Sequence, residues 1–332
     1  MHSPDSEPGS FQDALPDSIT AENKSAETEV FKPLLNEVKT KTSTSVISLI
    51  LFAVIGYFAW HSNIRALVII TTVILIHESG HLLAMKLFNY SNLGIFFIPL
   101  FGGAAKGTKT NISQKQQSIV LLSGPLPGIV IGTVLFLLYK NSMHNPWMYG
   151  FSIGFIFINL INLLPIYPLD GGRLLQIIFL NNSKILSNIF SGLSIIAIIY
   201  FSITSRDYIF LFFGFMLLMS LLNTIQKQKL ITLLKEEGIE PGITYEQMNK
   251  EQYTHIRQRM VQQITAYKQY DLFDFDINSQ KEKTLAKDME QLFKAAPAND
   301  MKFYEKALII GVWLSGFVLS FVIDLPIPFI NR

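Results

Sequence analysis

The 332-residue chain contains no cysteine. This excludes disulfides, thiolate catalysis and every cysteine-ligated zinc or iron site, so any bound metal must use His, Asp or Glu. Charge is also scarce, since 16% of the residues are charged and 49% are hydrophobic. A soluble domain of this size is less apolar, and we therefore expect the chain to lie in a lipid bilayer. The net charge of +2 gives no reason to expect nucleic acid as a partner.

Apolar runs long enough to cross about 30 Å of hydrocarbon recur along the chain. They lie at roughly 44–61, 64–88, 118–139, 146–164, 185–204 and 208–225, with a last one at roughly 306–323. We predict an all-α polytopic membrane protein with about six to seven transmembrane helices. Lys and Arg in the short loops concentrate on one side of this arrangement, which should therefore be the cytosolic side, with the amino terminus inside.

Composition divides the chain into four regions. Residues 1–43 are polar and lack the apolar segment of a secretory signal, which predicts a disordered tail. Residues 44–225 form the transmembrane core, and residues 306–332 carry the carboxyl-terminal transmembrane helix. Residues 226–305 are highly charged with scattered apolar positions, which predicts a cytosolic amphipathic helical insert. A substrate-recruiting or regulatory module is the alternative for this insert.

A short apolar stretch, Leu93 to Lys106, separates the second and third runs. It cannot span a bilayer, and Pro99, Gly102 and Gly103 interrupt it. We predict a membrane re-entrant hairpin or loop. Irregular backbone at membrane depth persists only where protein or a water-filled cavity surrounds it, so this stretch should face the functional centre.

The second apolar run contains the pattern H-E-x-x-H, formed by His77, Glu78 and His81. Two histidines four residues apart lie on one face of a helix, where both imidazoles reach one tetrahedral zinc ion. Glu78 follows the first ligand and is placed to take a proton from metal-bound water. Three ionisable groups in one turn of an apolar span are costly, which favours function over a helix pair held by polar contacts.

A catalytic zinc ion usually has three protein ligands, and elimination identifies the third. Glu78 and Asp170 are the only acidic residues from position 38 to position 206. Two prolines precede Asp170 and two glycines follow it, and such breaks in an apolar run open space for a ligand. Taken alone, an Asp before a Gly equally indicates a turn. Beside the two histidines, Asp170 is the candidate metal ligand.

Two asparagines, Asn159 and Asn162, lie in the apolar run before Asp170. They either bond neighbouring helices or hold the substrate backbone and the oxyanion during peptide hydrolysis. We take Asn162 as the better catalytic candidate.

These residues together carry a pattern that resembles the site-2 protease family of intramembrane zinc metalloproteases. His77 to His81 matches the family's H-E-x-x-H, and Asn162 to Gly171 matches its N-x-x-P-x-x-x-x-D-G. Ser123 to Gly128 looks like the family's small-residue helix, in which Gly124 and Gly128 permit close packing. The resemblance covers roughly residues 64–180 and implies a three-helix catalytic core, with the stretch 93–106 as a membrane-inserted hairpin beside the active site.

The resemblance also implies a function. The chain would hydrolyse peptide bonds in or near transmembrane segments of membrane-tethered regulators, in regulated intramembrane proteolysis, with Zn²⁺ held towards the cytosolic side. Its partners would be a single-span membrane protein substrate and the lipid bilayer, with a regulatory membrane protein as a further candidate. The alternatives are a membrane metal-binding carrier that uses the same ligands without hydrolysis, and an inactive protease-like scaffold. An acid and histidine cluster with a built-in base favours the protease over the carrier, which needs ligands in series.

Overall fold

The computed structural model describes residues 31–35, 42–59, 63–99, 102–109, 112–141, 145–239, 243–293 and 298–322. The first half of these residues forms α1 (Thr42–Ala59), α2 (Ile64–Leu87), β1 (Ser91–Ile98), β2 (Gly102–Thr108), α3 (Gln114–Ser123), α4 (Pro125–Asn141) and α5 (Pro146–Leu163). The second half forms α6 (Asp170–Leu175), α7 (Lys184–Ser205), α8 (Ile209–Glu236), α9 (Lys250–Gln263), α10 (Gln280–Leu292) and α11 (Phe303–Val322). The protein is therefore mostly helical, with one two-stranded antiparallel hairpin among the described residues.

Polar side chains mark where the apolar helices begin. Asn63 accepts a hydrogen bond from the Ala66 amide at the start of α2, and Asn145 accepts one from the Trp147 amide at the start of α5. Each cap satisfies a backbone donor that the first turn of a helix leaves without a partner. Pro146 occupies the first position of α5. Proline has no N–H group, and an N–H group at this position would have no helical acceptor.

Five helical segments are long and apolar enough to cross a membrane: Ile64–Leu87, Gln114–Asn141, Pro146–Leu163, Lys184–Ser205 and Ile209–Glu236. The second of them joins α3 and α4. The predicted runs at roughly 44–61 and 306–323 also form helices, α1 and α11, but neither is among these five. The total of six to seven spans thus remains a prediction.

Residues on both sides of position 100 form a β-hairpin within the stretch predicted as a membrane re-entrant hairpin or loop, and its entry into the membrane remains a prediction. Strands β1 and β2 pair antiparallel, with Phe96 opposite Ala104 and Ile95 opposite Ala105. The hairpin lies between α1 and α2, and the Phe97 amide donates to the Ser48 hydroxyl of α1 at 3.1 Å. Phe52 and Phe97 pack together with their ring centroids 5.9 Å apart.

The two largest apolar cores among the described residues lie in different parts of the chain. The first joins α3, α4 and α5 to the short helix α6 and includes Leu121, Ile129, Leu163 and Leu174, with Trp313 of α11 packed against it. The Trp313 indole donates to the Leu163 carbonyl at 2.9 Å, so α11 bonds to the end of α5.

The second core lies outside this bundle and is made by the last turns of α8 with α9 and α10. We call residues 243–293 with this end of α8 the helical module. Leu230, Leu234, Ile256 and Leu285 are almost completely buried in it. Most of the predicted disordered tail lies outside the described residues, but residues 31–35 pack against the helical module.

Candidate metal centre

His77 and His81 lie one turn apart on the same face of α2, and both are buried. Their Nε2 atoms are 3.1 Å apart. Asp170, the first residue of α6, places its Oδ2 atom 3.1 Å from the His77 Nε2 atom and 3.2 Å from the His81 Nε2 atom. Within the part of the chain that the structure describes, these three form the one group of His, Asp and Glu residues whose ligand atoms converge within 4.8 Å.

The remaining ring nitrogens determine which tautomer each histidine adopts. The His77 Nδ1–H donates to the Asn159 side-chain oxygen at 2.7 Å, and the His81 Nδ1–H donates to the Val120 carbonyl at 2.7 Å. Asn159 is held in this orientation because its amide nitrogen donates to the Phe155 carbonyl. With both Nδ1 atoms protonated, both neutral rings present an Nε2 lone pair to the same point.

This arrangement fits a bound cation. Two imidazole lone pairs and a carboxylate oxygen face one another at 3.1–3.2 Å, and the Asp170 Oδ2 atom is buried without a hydrogen-bond donor. Three acceptors in that position repel one another unless a positive charge lies between them. Ligand atoms about 2.0–2.1 Å from a tetrahedral zinc ion lie roughly 3.3 Å from one another, close to the separations here.

Two glycines of the small-residue helix leave the space that these side chains occupy. A β-carbon at Gly124 would overlap the His81 imidazole, and one at Gly128 would overlap the Asn159 amide group. Gly128 lies on α4 and Asn159 on α5, so the small residue lets these two helices approach closely. The close packing thus serves to admit the histidine and its hydrogen-bond partner.

Glu78 faces the hairpin rather than a helix. Its Oε2 atom accepts a hydrogen bond from the Ala105 amide of β2 at 2.7 Å, and only a glycine fits beside it at position 103. The side chain is buried, with 5% of its residue surface exposed. The hairpin therefore covers and orients the carboxylate that is adjacent in sequence to the first histidine.

Asn162, the predicted catalytic asparagine, has a different environment from that of Asn159. It lies almost one turn further along α5 and is half-buried, and its amide donates to the Ile158 carbonyl at 3.0 Å. Its side-chain oxygen is thus left for another donor or for water. Its catalytic assignment remains a prediction, as do the roles of Glu78 and the three metal ligands.

Two groups at the site have no counterpart in the sequence analysis. The Val120 carbonyl and the Ala105 amide are backbone groups, and every residue carries such groups, so no side-chain pattern could identify them. The bond between Asn159 and His77 was also not predicted. Its signal was present in the sequence, since Asn159 is a costly amide within an apolar span.

Comparison with known proteins agrees with this geometry. Residues 65–143 match the sequence profile of peptidase family M50. Over 130 residues the chain is 31% identical to stage IV sporulation protein FB of Bacillus subtilis, a match covering 39% of this chain and 44% of that protein. Over 137 residues it is 29% identical to zinc metalloprotease MJ0392 of Methanocaldococcus jannaschii, covering 38% and 40%.

Over this stretch the chain is similar to the M50 peptidases. The matched stretch spans less than half the length of each curated relative. A solved structure of a site-2 protease from Methanocaldococcus jannaschii aligns with a TM-score of 0.41 and 24% identity, covering 53% of this chain and 86% of that one. The matched profile includes His77, Glu78 and His81 but ends before Asp170, so the case for the third ligand rests on the geometry of this structure.

Proposed function

We propose that this protein is an intramembrane zinc metalloendopeptidase that cleaves in or near transmembrane segments of membrane-tethered regulators. One observation carries the proposal: the two Nε2 atoms and the Asp170 carboxylate oxygen converge at 3.1–3.2 Å while both Nδ1 atoms are held by oxygen acceptors. The similarity to peptidase family M50 and to the relative named as a zinc metalloprotease supports Zn²⁺ as the metal.

His77, His81 and Asp170 would hold the ion through two imidazoles and one carboxylate. A zinc ion bound there supplies a Lewis acid that polarises a peptide carbonyl and lowers the pKa of water. Glu78 accepts the proton that the attacking water loses and returns it to the amine that leaves when the peptide bond breaks. The Ala105 amide holds one carboxylate oxygen of Glu78, which leaves the other oxygen for the proton.

Asn162 is proposed to bind the substrate carbonyl oxygen as negative charge develops on it. Asn159 is unsuited to this role because it is completely buried and its side-chain oxygen is bonded to His77. Asn162 has a bonded amide nitrogen, so one of its two N–H groups remains for a substrate oxygen.

Substrate would bind in an extended conformation, because helical hydrogen bonds hide the peptide bonds of a transmembrane segment. A hairpin offers its two outer edges for strand pairing. Helix α1 covers the edge of β1 through the bond from the Phe97 amide to Ser48, whereas the edge of β2 faces Glu78. We propose that substrate pairs along β2, which would bring a peptide bond beside the candidate base.

Membrane placement is part of the same proposal. The hairpin would enter the bilayer beside α2, and the metal centre would lie towards the cytosolic side, as the distribution of Lys and Arg predicts. The cleaved fragment would then be released into the cytosol, where a regulator acts. A second membrane protein that controls access would be a natural partner for such a site.

The test compares the unchanged chain with Glu78→Gln in liposomes, using a panel of tagged single-span substrates. We expect the unchanged protein to cleave at least one substrate, a chelator to stop cleavage and added Zn²⁺ to restore it. Glu78→Gln should retain stoichiometric zinc and lose at least about 10³-fold in rate, since it removes the general base. Glu251→Gln on the exposed face of α9 is the matched control and should cleave normally.

Two outcomes would contradict the proposal. Cleavage by Glu78→Gln at an undiminished rate would remove this residue from the chemistry. Stoichiometric zinc without cleavage of any substrate, together with zinc flux or partner recruitment that Glu78→Gln alters, would identify a carrier or a scaffold.

A further inference from the structure

A five-residue segment at the amino-terminal end of the described chain lies on the helical module. We call residues 31–35 the docked segment. Pro33 is buried, Phe31 and Leu35 pack against the apolar core of the module, and Leu34 is 79% exposed. Phe31, Pro33 and Leu35 thus lie towards the module, while Leu34 lies in solvent, and pockets for some side chains of an extended peptide give such a site its specificity.

Lys32 makes the most specific contacts. Its ammonium group donates to the carbonyls of Tyr245, Glu246 and Met248 at 2.7, 2.9 and 2.9 Å. Tyr245 and Glu246 belong to a single 3₁₀ turn, Tyr245–Gln247, and Met248 follows it just before α9. A cation is favoured beside the carbonyls at the end of such a turn. Burial lowers the pKa of Lys32, and the Glu246 carboxylate opposes that shift.

Three carbonyls around one nitrogen select lysine. An ammonium group has three donors arranged around a single atom, and here all three are used. The guanidinium group of arginine is planar, and its donors lie on separate nitrogens. It therefore fits a carboxylate better than it fits a ring of carbonyls. The site therefore distinguishes the two basic residues by geometry.

Aromatic rings complete the recognition. The Lys32 nitrogen lies 5.2 Å from the ring centroids of both Phe31 and Tyr245. The Tyr245 hydroxyl donates to the Pro33 carbonyl at 2.9 Å, and Phe31 packs edge-on against Tyr253. Tyr245 thus contacts the segment through its carbonyl, its ring and its hydroxyl.

We propose that the helical module is a peptide-binding domain for extended segments of the form aromatic–Lys–Pro–x–apolar, and that its occupant is the chain's own residues 31–35. This site is separate from the metal centre and is independent of the proteolytic activity. Six residues, 36–41, connect the docked segment to α1, and they span at most roughly 20 Å when extended. Occupancy therefore tethers the beginning of α1 to the module.

The first test measures binding in trans, with the compared substitutions placed in the peptide so that every titration uses the same protein. The full chain, with residues 31–35 replaced by Gly-Ser-Gly-Ser-Gly, is purified in detergent and titrated against a fluorescent peptide of residues 28–37. We expect saturable binding by fluorescence anisotropy, and binding about tenfold weaker for the Lys32→Met peptide. The Leu34→Ser peptide is the matched control and should bind as well as the unchanged one.

The second test asks whether the segment occupies the site in the intact chain. Because the chain has no cysteine, Leu34→Cys and Glu251→Cys place two spin labels at defined exposed positions. We expect one narrow distance distribution, which Lys32→Met should broaden. Absence of saturable peptide binding, or equal binding of the Lys32→Met and Leu34→Ser peptides, would overturn the binding site. A broad distance distribution in the doubly labelled chain that retains Lys32 would overturn the claim that residues 31–35 occupy the site.

Discussion

Asn159 and Asn162 lie on the same helix, three residues apart, yet their surroundings differ. Asn159 is completely buried and holds the Nδ1–H of His77, while Asn162 is half-buried and bonds only within α5 among the contacts described. A hydrogen-bond partner of a metal-binding histidine fixes its tautomer and ring orientation. The first asparagine should therefore affect metal binding, and the second should affect the reaction.

We expect Asn159→Leu to weaken zinc affinity by about 10–100-fold, since it removes the acceptor for the His77 ring. Asn162→Leu should leave zinc affinity within about twofold and lower kcat. Competition with a chromogenic chelator gives the affinities, and cleavage at saturating zinc gives the rates. Equal zinc affinities in the two variants would contradict the role of Asn159.

Gly124 offers a second prediction at the scale of one residue. A methyl group at this position overlaps the His81 imidazole, so Gly124→Ala must displace the ring or the helix. We expect at least tenfold weaker zinc binding and a loss of about 1–3 kcal/mol in stability, as for other overpacked interiors. Gly192→Ala on α7 is the control because, apart from its chain neighbours and the backbone of its own helix, no atom lies within 4 Å of its added carbon. Similar zinc affinities for the two variants would argue against close packing at His81.

At the scale of secondary-structure elements, the hairpin connects α1 to the candidate base. Three consecutive residue pairs lie along the ladder: Ile95 with Ala105, Phe96 with Ala104, and Phe97 with Gly103. Since the amides of Phe97 and Ala105 bond outwards to Ser48 and Glu78, the middle pair is the one that bonds across the strands. One amide on each outer edge of the hairpin is therefore bonded to a side chain, Phe97 on β1 to Ser48 and Ala105 on β2 to Glu78.

We expect Ala105→Pro to remove the donor to Glu78 without breaking a bond between the strands, because proline is tolerated where the amide points away from the ladder. The rate of cleavage should fall at least about tenfold with zinc retained. Ala105→Ser keeps the amide and should cleave normally. Ala104→Pro breaks the ladder and should reduce stability as well. An unchanged rate in Ala105→Pro would show that the amide does not orient Glu78.

The sequence predicted elements best where one physical pattern decides them. The runs predicted at roughly 64–88, 146–164 and 185–204 correspond to Ile64–Leu87, Pro146–Leu163 and Lys184–Ser205, because hydropathy dominates in each. Hydropathy did not predict where α8 ends. The apolar run ends at roughly 225, whereas the helix continues to Glu236. Its last turns are polar overall, and their stability comes from burying Leu230 and Leu234 in the helical module, a contact between distant segments.

The same distinction holds at the candidate site. Side chains with a fixed spacing, such as His77 and His81, are visible in the sequence, and the structure brings them together with Asp170. Spacing cannot reveal which backbone groups will contact these side chains. The partners of His81 and Glu78 are main-chain atoms of other elements, the Val120 carbonyl and the Ala105 amide. Folding alone determines those contacts.

At the scale of the whole molecule, the membrane-spanning bundle and the helical module have separate apolar cores. The module is built around Arg257, whose guanidinium group bonds both oxygens of Glu282 and the carbonyls of Asp271 and Leu272. This arginine is 1% exposed, and Phe275 covers one face of it. Removing it leaves a buried carboxylate without its charged partner.

We expect Arg257→Met to destabilise the module by about 3–5 kcal/mol while the zinc affinity of the bundle is unchanged. Arg259→Met is the matched control, because this exposed arginine pairs with Glu237 at the surface and its loss should cost at most about 1 kcal/mol. Hydrogen exchange would show increased exchange confined to α9 and α10. A parallel loss of zinc affinity would show that the two cores are coupled.

The position of the docked segment has a consequence for biosynthesis. Lys32 and Tyr245 are 213 residues apart in the chain. At a translation rate of about 5–20 residues per second, Tyr245 is added roughly 10–40 s after Lys32. Asp170 completes the candidate metal-ligand set before any residue of the module's α9 has been synthesised, so each nascent chain passes through an interval in which the metal centre can assemble while its amino-terminal segment is still untethered.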